Sequence, residues 1–382
     1  MHLVIAFEHI RRFVGAHAQV VTELARRLGR RGHDVTIICD TVTDPALHPD
    51  LHFIARRPFQ IGASHRPAML HFWANRLIPA LGSEVVISFH PAICGDVLIP
   101  TFGFDFGPDR RRSGGWRSAL HGVDPRWLVS RWVGRRARRD RRLRCVGALS
   151  ESMAESLLDI APEVEPILRL IPGASPIEPP TDPAAGGAMR EETRSILRLD
   201  PTDIAFLWAA KAPHHKGGAA VLHAFSEVAA SGHPSARLIM ACEDPWPMHD
   251  LAVDLDCDDR LRLVSRTREM ERLLTAADVG VIPATRSLFG RFVWECLAFG
   301  VPVITNTRTA GAERLRDPQQ RLAGQTVSSI RPEALREAMI GLLNSAHLDA
   351  ARRSARSIAP SMRFDLFVDR IEALAQEFAG RP

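Results

Sequence analysis

Tyrosine is absent from the 382 residues, which removes phenolic hydroxyls from the candidate acids. The six cysteines, Cys39, Cys94, Cys145, Cys242, Cys257 and Cys296, include no Cys-x-x-Cys pair. That scatter argues against a metal centre or a disulfide framework and for buried, reduced thiols. No apolar run approaches the ~20 residues that a membrane span needs. The apolar stretch after His2, LVIAF, is cut short by Glu8 and His9 before it could form a secretory core. A cytoplasmic protein is expected. A metal is not: Asp254-Leu255-Asp256 has an Asp-x-Asp spacing but falls at a helix end, as a surface acidic loop, and the adjacent His214 and His215 lack a third ligand at a sensible distance.

With 46% hydrophobic residues and a mean hydropathy near zero, there is material for two cores, and the length suggests two domains. The formal charge of +5 is unevenly spread. Between Arg110 and Arg144 thirteen arginines stand against Asp124 and Asp140, so this one segment makes the chain basic. Trp116, Trp127 and Trp132 are interleaved with the arginines, and from Pro125 the pattern WLVSRWVGRRARRDRRL is helical. Three readings stand: a solvated helix face, a surface for an anionic membrane or phosphorylated glycolipid, or a nucleic-acid site. The last would need base-reading or stacking modules that are not found, and nucleic acid is not expected.

Strand-like and helix-like stretches alternate along the chain, which is the signature of α/β domains with parallel sheets. LVIAF is followed by Gly15, a helix with Val20, Val21, Leu24 and Leu28 on one face, and a strand from Val35 to Cys39. The strand Val85–Phe89 ends in His90-Pro91. A His at that end of a parallel strand either lines the ligand crevice or is an internally satisfied loop residue. The proline-rich IPGASPIEPPTDPAAGG reads as the linker, after which the alternation resumes at Ile204–Ala209.

Two stretches carry the chemistry. In AAKAPHHKGG, Lys211 follows a strand and Lys216 stands just before a glycine that opens a helix, which places fixed positive charge where phosphates would lie. In SLFGRFVWECLAFGVPVI, Ser287, Leu288, Phe289 and Gly290 lead from a short strand into a helix start, where unpaired N–H groups and the helix dipole stabilise an anion. The buried stripe of that helix is expected to be Phe292, Val293, Cys296 and Leu297, with Glu295 as its single carboxylate.

This pattern resembles retaining glycosyltransferases of family 4 (glycosyl transferases group 1), and VISFHPAICGDVLIP is similar to the lipopolysaccharide core glucosyltransferases among them. The resemblance implies the GT-B architecture: two Rossmann-like domains facing a central cleft, here 1–175 for the acceptor and 176–362 for the donor, with a final helix, 363–382, crossing back to the first. It implies a metal-independent hexosyltransferase that takes its sugar from a nucleoside diphosphate, a UDP-sugar foremost, with no separate cofactor, and passes it to a glycolipid or saccharide acceptor. Glu295 would hold the ribose, Lys211 and Lys216 the diphosphate, and His90 the sugar. Gly15 would be the surviving member of a Gly-Gly loop. Peripheral association with the inner face of the cytoplasmic membrane, through Arg110 to Arg144, is also implied. The family has Glu where Ser287 stands and Arg where Lys211 stands. The first departure keeps open a nucleotide-sugar-binding homologue that transfers nothing, or an epimerase on the same fold.

Overall fold

The computed structural model describes residues 1–10, 16–43, 45–56, 65–101, 103–104, 125–211, 216–265, 269–284 and 289–380. They form two compact units, Met1–Pro172 with Phe367–Pro382, and Gly173–Leu366. No helix among the described residues is long and apolar enough to cross a membrane.

The first unit is built on seven parallel strands: β1 (His2–Ile10), β2 (Asp34–Val42), β3 (His52–Ala55), β4 (Val85–Ser88), β5 (Val97–Leu98), β6 (Cys145–Ala148) and β7 (Leu168–Leu170), in the order β3-β2-β1-β4-β5-β6-β7. Leu3, Val4, Ile5 and Ala6 are all fully buried. A central parallel strand is covered on both faces, which is why it reads as an unbroken apolar run. Among the described residues this stretch of chain has the helices α1 (Ala16–Arg30), α2 (Arg66–Leu77), α3 (Pro125–Arg138) and α4 (Glu151–Leu158). Ser150 caps α4 by accepting from the Met153 N–H at 3.1 Å. The arginine-rich helix is shorter than its pattern implies. It stops at Arg138, and the Asp140 carboxylate accepts from the Arg142 N–H at 2.9 Å, turning the chain toward β6.

The second unit repeats the scheme with β8 (Ile204–Ala209), β9 (Ala236–Cys242), β10 (Leu261–Ser265), β11 (Val279–Ile282), β12 (Val303–Asn306) and β13 (Gly324–Val327), all parallel, in the order β10-β9-β8-β11-β12-β13. Its helices are α5 (Pro183–Ile196), α6 (Gly218–Ala230), α7 (Trp246–Asp254), α8 (Met270–Ala276), α9 (Arg291–Ala298), α10 (Pro332–Leu343) and α11 (Ser345–Ile358). Part of the expected linker is helical. Asp182 accepts from the N–H groups of Ala184 and Ala185 at 3.0 and 3.2 Å, and Pro183 takes the first helical position, where its missing N–H costs nothing. The last helix, α12 (Phe364–Phe378), is fixed to the first unit by Arg31 on Glu372 at 2.6 Å, His33 on Glu372 at 2.7 Å and Arg169 on Glu377 at 2.8 Å.

In each sheet the strand order reverses once, between β1 and β4 and between β8 and β11. At such a switch point the connecting loops leave in opposite directions and open a crevice beyond the carboxyl ends of the strands.

The chain enters the second unit at Gly173, where an added Cβ would lie 2.2 Å from the ring of the buried Trp294. Gly173→Ala is therefore expected to lower stability by about 1–3 kcal/mol in chemical denaturation. Gly29→Ala, in an exposed turn of α1 with nothing within 4 Å, is expected to raise it by about 0.5 kcal/mol.

Candidate functional site

The second switch point gathers the residues of both motifs that fall among the described ones. Lys211 follows the end of β8 and is exposed, while Lys216 is half-buried. The backbone at Lys216 and Gly217 is held closely against the ends of β8 and β11. The Trp208 indole N–H donates to the Lys216 carbonyl at 3.0 Å. Gly217 has a left-handed φ of +73°, and a Cβ there would lie 2.7 Å from the Pro283 carbonyl oxygen, so only glycine lets the two loops meet. The end of β11 is pinned from β12. Thr305 Oγ1 donates to the Ile282 carbonyl at 2.9 Å, Thr309 Oγ1 to the Ala284 carbonyl at 3.3 Å, and the Asn306 amide also donates to Ala284. These three polar side chains were missed by the sequence reading, although a strand that runs Val-Ile-Thr-Asn and turns polar at its carboxyl end is the signal that could have found them.

Helix α9 begins at Gly290 with no side-chain cap, leaving its first N–H groups to other partners. Gly290 itself presses against the next loop: a Cβ there would fall 1.9 Å from the Ala310 carbonyl oxygen. The Phe289 ring meets Trp294 edge-on at 5.3 Å between centroids. The expected buried stripe needs correction. Phe292 is only half-buried, and Trp294 and Glu295 are buried with Val293, Cys296 and Leu297. The helix is covered on almost every side, so a one-face periodicity does not describe it.

Glu295 is 3% exposed. Arg291, one turn earlier, donates from Nε to Oε1. The second oxygen has no hydrogen-bond partner among the described residues. Burial pushes this carboxyl above the usual carboxylate range, and the Arg291 guanidinium opposes the shift.

At the switch point of the first unit, His90 is 1% exposed. Its Nδ1 accepts from the Ala92 N–H at 3.1 Å, which puts the proton on Nε2, 3.5 Å from Glu8 Oε2. Burial lowers the His90 pKa and Glu8 partly restores it. Glu8 Oε1 lies 3.2 Å from His9 Nε2, and His9 Nδ1 pairs with Thr41 Oγ1 at 2.8 Å. Below them Asp40, 1% exposed, takes both Arg56 Nε and Nη2 on Oδ1, at 2.7 and 2.6 Å. The structure thus sets the buried His90 into a chain of acids and bases at this edge, of which Glu8 and His9 are half-buried.

Gly15, Ser287 and Leu288 lie outside the described residues, as do Arg286, His214, His215 and positions 110–124 of the arginine segment. Asp254 and Asp256 are exposed at the end of α7. Among the described residues no three His, Cys, Asp or Glu side chains form a set able to hold a metal.

The raised pKa of Glu295 has a consequence for stability. A carboxyl whose folded pKa exceeds its unfolded value favours folding when protonated and loses that contribution as pH rises through the folded value. Glu295→Gln is therefore expected to melt at or above the wild-type temperature at pH 7, with the difference shrinking as the pH falls through the raised value toward 4.5, the carboxyl's ordinary value. A variant that melts lower at pH 7 would contradict this.

Residues 203–345, within the second unit, match the family model of glycosyl transferases group 1. No curated protein matches the chain in sequence. Among solved structures, the chain is similar to WaaG, a glycosyltransferase involved in lipopolysaccharide biosynthesis, with a TM-score of 0.81 and 16% identity over 99% of this chain and 100% of that one. It is also similar to sucrose-phosphate synthase of Thermosynechococcus elongatus, with a TM-score of 0.75 and 15% identity over 99% of each chain. A third similar structure is Anabaena HepE in complex with UDP and glucose, with a TM-score of 0.65 and 11% identity over 98% and 99%. The chain therefore has the two-domain α/β fold of the GT-B glycosyltransferases, and its residues 203–345 are a glycosyl transferases group 1 segment.

Proposed function

We propose that the protein is a metal-independent, retaining glycosyltransferase that moves a sugar from a nucleoside diphosphate, a UDP-sugar foremost, to a glycolipid or polysaccharide precursor of the cell envelope, in the manner of a lipopolysaccharide core enzyme. The observation that carries this reading is the convergence at the second switch point. Two loops held together at Gly217 and Pro283 bring Lys216, Lys211 and the uncapped start of α9 to one edge, beside a buried carboxylate with one oxygen unspent. UDP and glucose in the similar Anabaena protein agree with a donor of this kind.

In the proposed reaction the bond from the anomeric carbon to the diphosphate oxygen breaks. The acceptor oxygen bonds to that carbon on the same face, and its proton passes to the departing diphosphate. The charge that builds on the diphosphate meets Lys211, Lys216 and the helix N–H groups, which act without reorganising. Glu295 accepts hydrogen bonds from the ribose hydroxyls through its free oxygen. Leu288, Phe289 and Gly290 carry the backbone donors, and Ser287 offers a hydroxyl to the sugar where the family has Glu. Gly15 and His90 serve the first unit's side of the reaction. Ser287 also favours a second reading, in which the donor is bound and no sugar is transferred.

The basic segment supports an acceptor at a membrane surface. Phe72 on α2 is 63% exposed, and Trp132 on α3, 5.7 Å from it, is 43% exposed. Leu128 and Met69 extend this apolar patch, and Arg131, Arg135, Arg136 and Arg139 lie on or just beyond the same helix. Aromatic side chains ringed by arginine suit an anionic lipid interface, which would bring the protein to the inner face of the cytoplasmic membrane.

Calorimetry without metal, over a panel of nucleoside diphosphates and their sugars, tests the donor site. One nucleotide is expected to bind, at least tenfold more weakly in Glu295→Ala and Lys216→Ala. Binding to none would overturn the proposal, and binding without transfer to any acceptor would favour the second reading. Sedimentation with vesicles is expected to need anionic lipid and to weaken several-fold between about 0.1 M and 0.5 M salt. Unchanged sedimentation after Arg135, Arg136, Arg138 and Arg139 become Ser would exclude this helix as the anchor.

A further inference from the structure

At the opposite end of the second sheet, where β11 starts rather than ends, a cavity of about 360 Å³ opens, in the range of small-ligand sites. Three arginines line it, Arg190, Arg352 and Arg356, with one carboxylate, Asp278. Asp278 is 4% exposed, and its acceptor capacity is fully used. Oδ1 takes Arg190 at 2.7 Å and also Arg352, and Oδ2 takes Arg194 at 3.1 Å and the Ala205 N–H at 2.9 Å. Asp278 therefore serves three guanidiniums, and the fourth, on Arg356, has no carboxylate partner among the described residues.

Two of these arginines are accounted for by the fold. Arg190 donates to the carbonyls of Thr275 and Ala277 at 2.8 and 3.0 Å, and Arg194 to that of Ala276 at 3.1 Å, closing the carboxyl end of α8. Arg194 also reaches the carbonyls of Asp200 and Asp203. Arg352 and Arg356 are different. They stand four residues apart on α11, where like charges destabilise a helix. The favourable position of Arg356 in the last turn offsets only part of that. Arg352 spends one nitrogen on Asp278 and lies 3.6 Å from the exposed Asp349. Arg356 is exposed, with no hydrogen bond or ion pair among the described residues. A pair of neighbouring guanidiniums with donors to spare, at the mouth of a cavity, matches a phosphate group.

We propose that this cavity is a second anion site, distinct from the donor loops, which takes a compact phosphate-bearing ligand of the size of pyrophosphate or a small phosphate monoester through Arg352 and Arg356. The site also touches Gly300 and Val301, directly after α9, and Pro179 and Pro180 of the segment that precedes α5 within the same unit. Its occupant joins the far end of the Glu295 helix to that segment.

The test uses inorganic pyrophosphate in a Lys216→Ala background, so that the donor loop contributes least. Calorimetry is expected to show binding to Lys216→Ala, and at least tenfold weaker binding to Lys216→Ala/Arg356→Ala with the cooperative melting transition retained, since the Arg356 guanidinium is exposed and makes no hydrogen bond or ion pair among the described residues. Arg352→Gln in the same background is expected to weaken binding likewise. No binding to Lys216→Ala would mean that the cavity does not hold the anion, and equal affinity in the Arg356 double variant would remove these arginines from consideration. Either result overturns the proposal, and neither bears on the donor site, which nucleotide binding to the wild type tests.

Discussion

A carboxylate on a helix covered on nearly every side is the costly element of the second unit. Glu295 is removed from water, and one guanidinium a turn away compensates only one of its oxygens. Charge in such surroundings persists where something else requires it. The packing around it serves to hold the helix in one place. Gly290 abuts the Ala310 carbonyl, and Trp294 fills the space left by Gly173 and Gly311, with its indole N–H unpartnered among the described residues. The rotation of α9, and with it the direction of Glu295, is set by contacts too close to admit a Cβ.

The same topological logic operates twice, with different chemistry at each site. In the second unit the switch point brings together Lys211, Lys216 and the uncapped start of α9, where we propose the donor diphosphate lies. In the first it holds a connected set of imidazoles and carboxylates, from Glu8 and His90 to Asp40 and Arg56. A parallel sheet concentrates function at the carboxyl edge because both its faces are occupied by helices, and only the edge is free to meet a ligand. The arginine cluster around Asp278 lies at the other edge, where the same sheet has its structural end.

Alternation of strand and helix was legible from the chain because each central strand is apolar throughout and each helix carries a stripe. The limits of that reading are physical. The stripe on α9 was misjudged at Phe292 and Trp294 because a helix packed all round has no polar face to contrast with. Helix α5 was hidden because Pro183 and two glycines read as linker, while the cap by Asp182 makes that proline a helix start. Past Arg138 the run of arginines reads as helix, because composition does not reveal that the Asp140 carboxylate accepts from the Arg142 N–H. The lysine loop and Glu295 stand out as candidates by local spacing alone. Thr305, Asn306 and Thr309 do not, because what they grip lies some twenty residues earlier in the chain.

Helix α12 completes the first unit, yet nearly the whole of the second unit precedes it in the chain. During synthesis the ribosome delivers β1 through β7 early, with Arg31, His33 and Arg169 waiting for the carboxylates of a helix not yet made. The second unit is continuous and can close as soon as it emerges. The amino-terminal half of the protein is thus the last to mature, and an interrupted translation leaves it without the helix that seals it, exposed to proteases while its downstream neighbour is already folded.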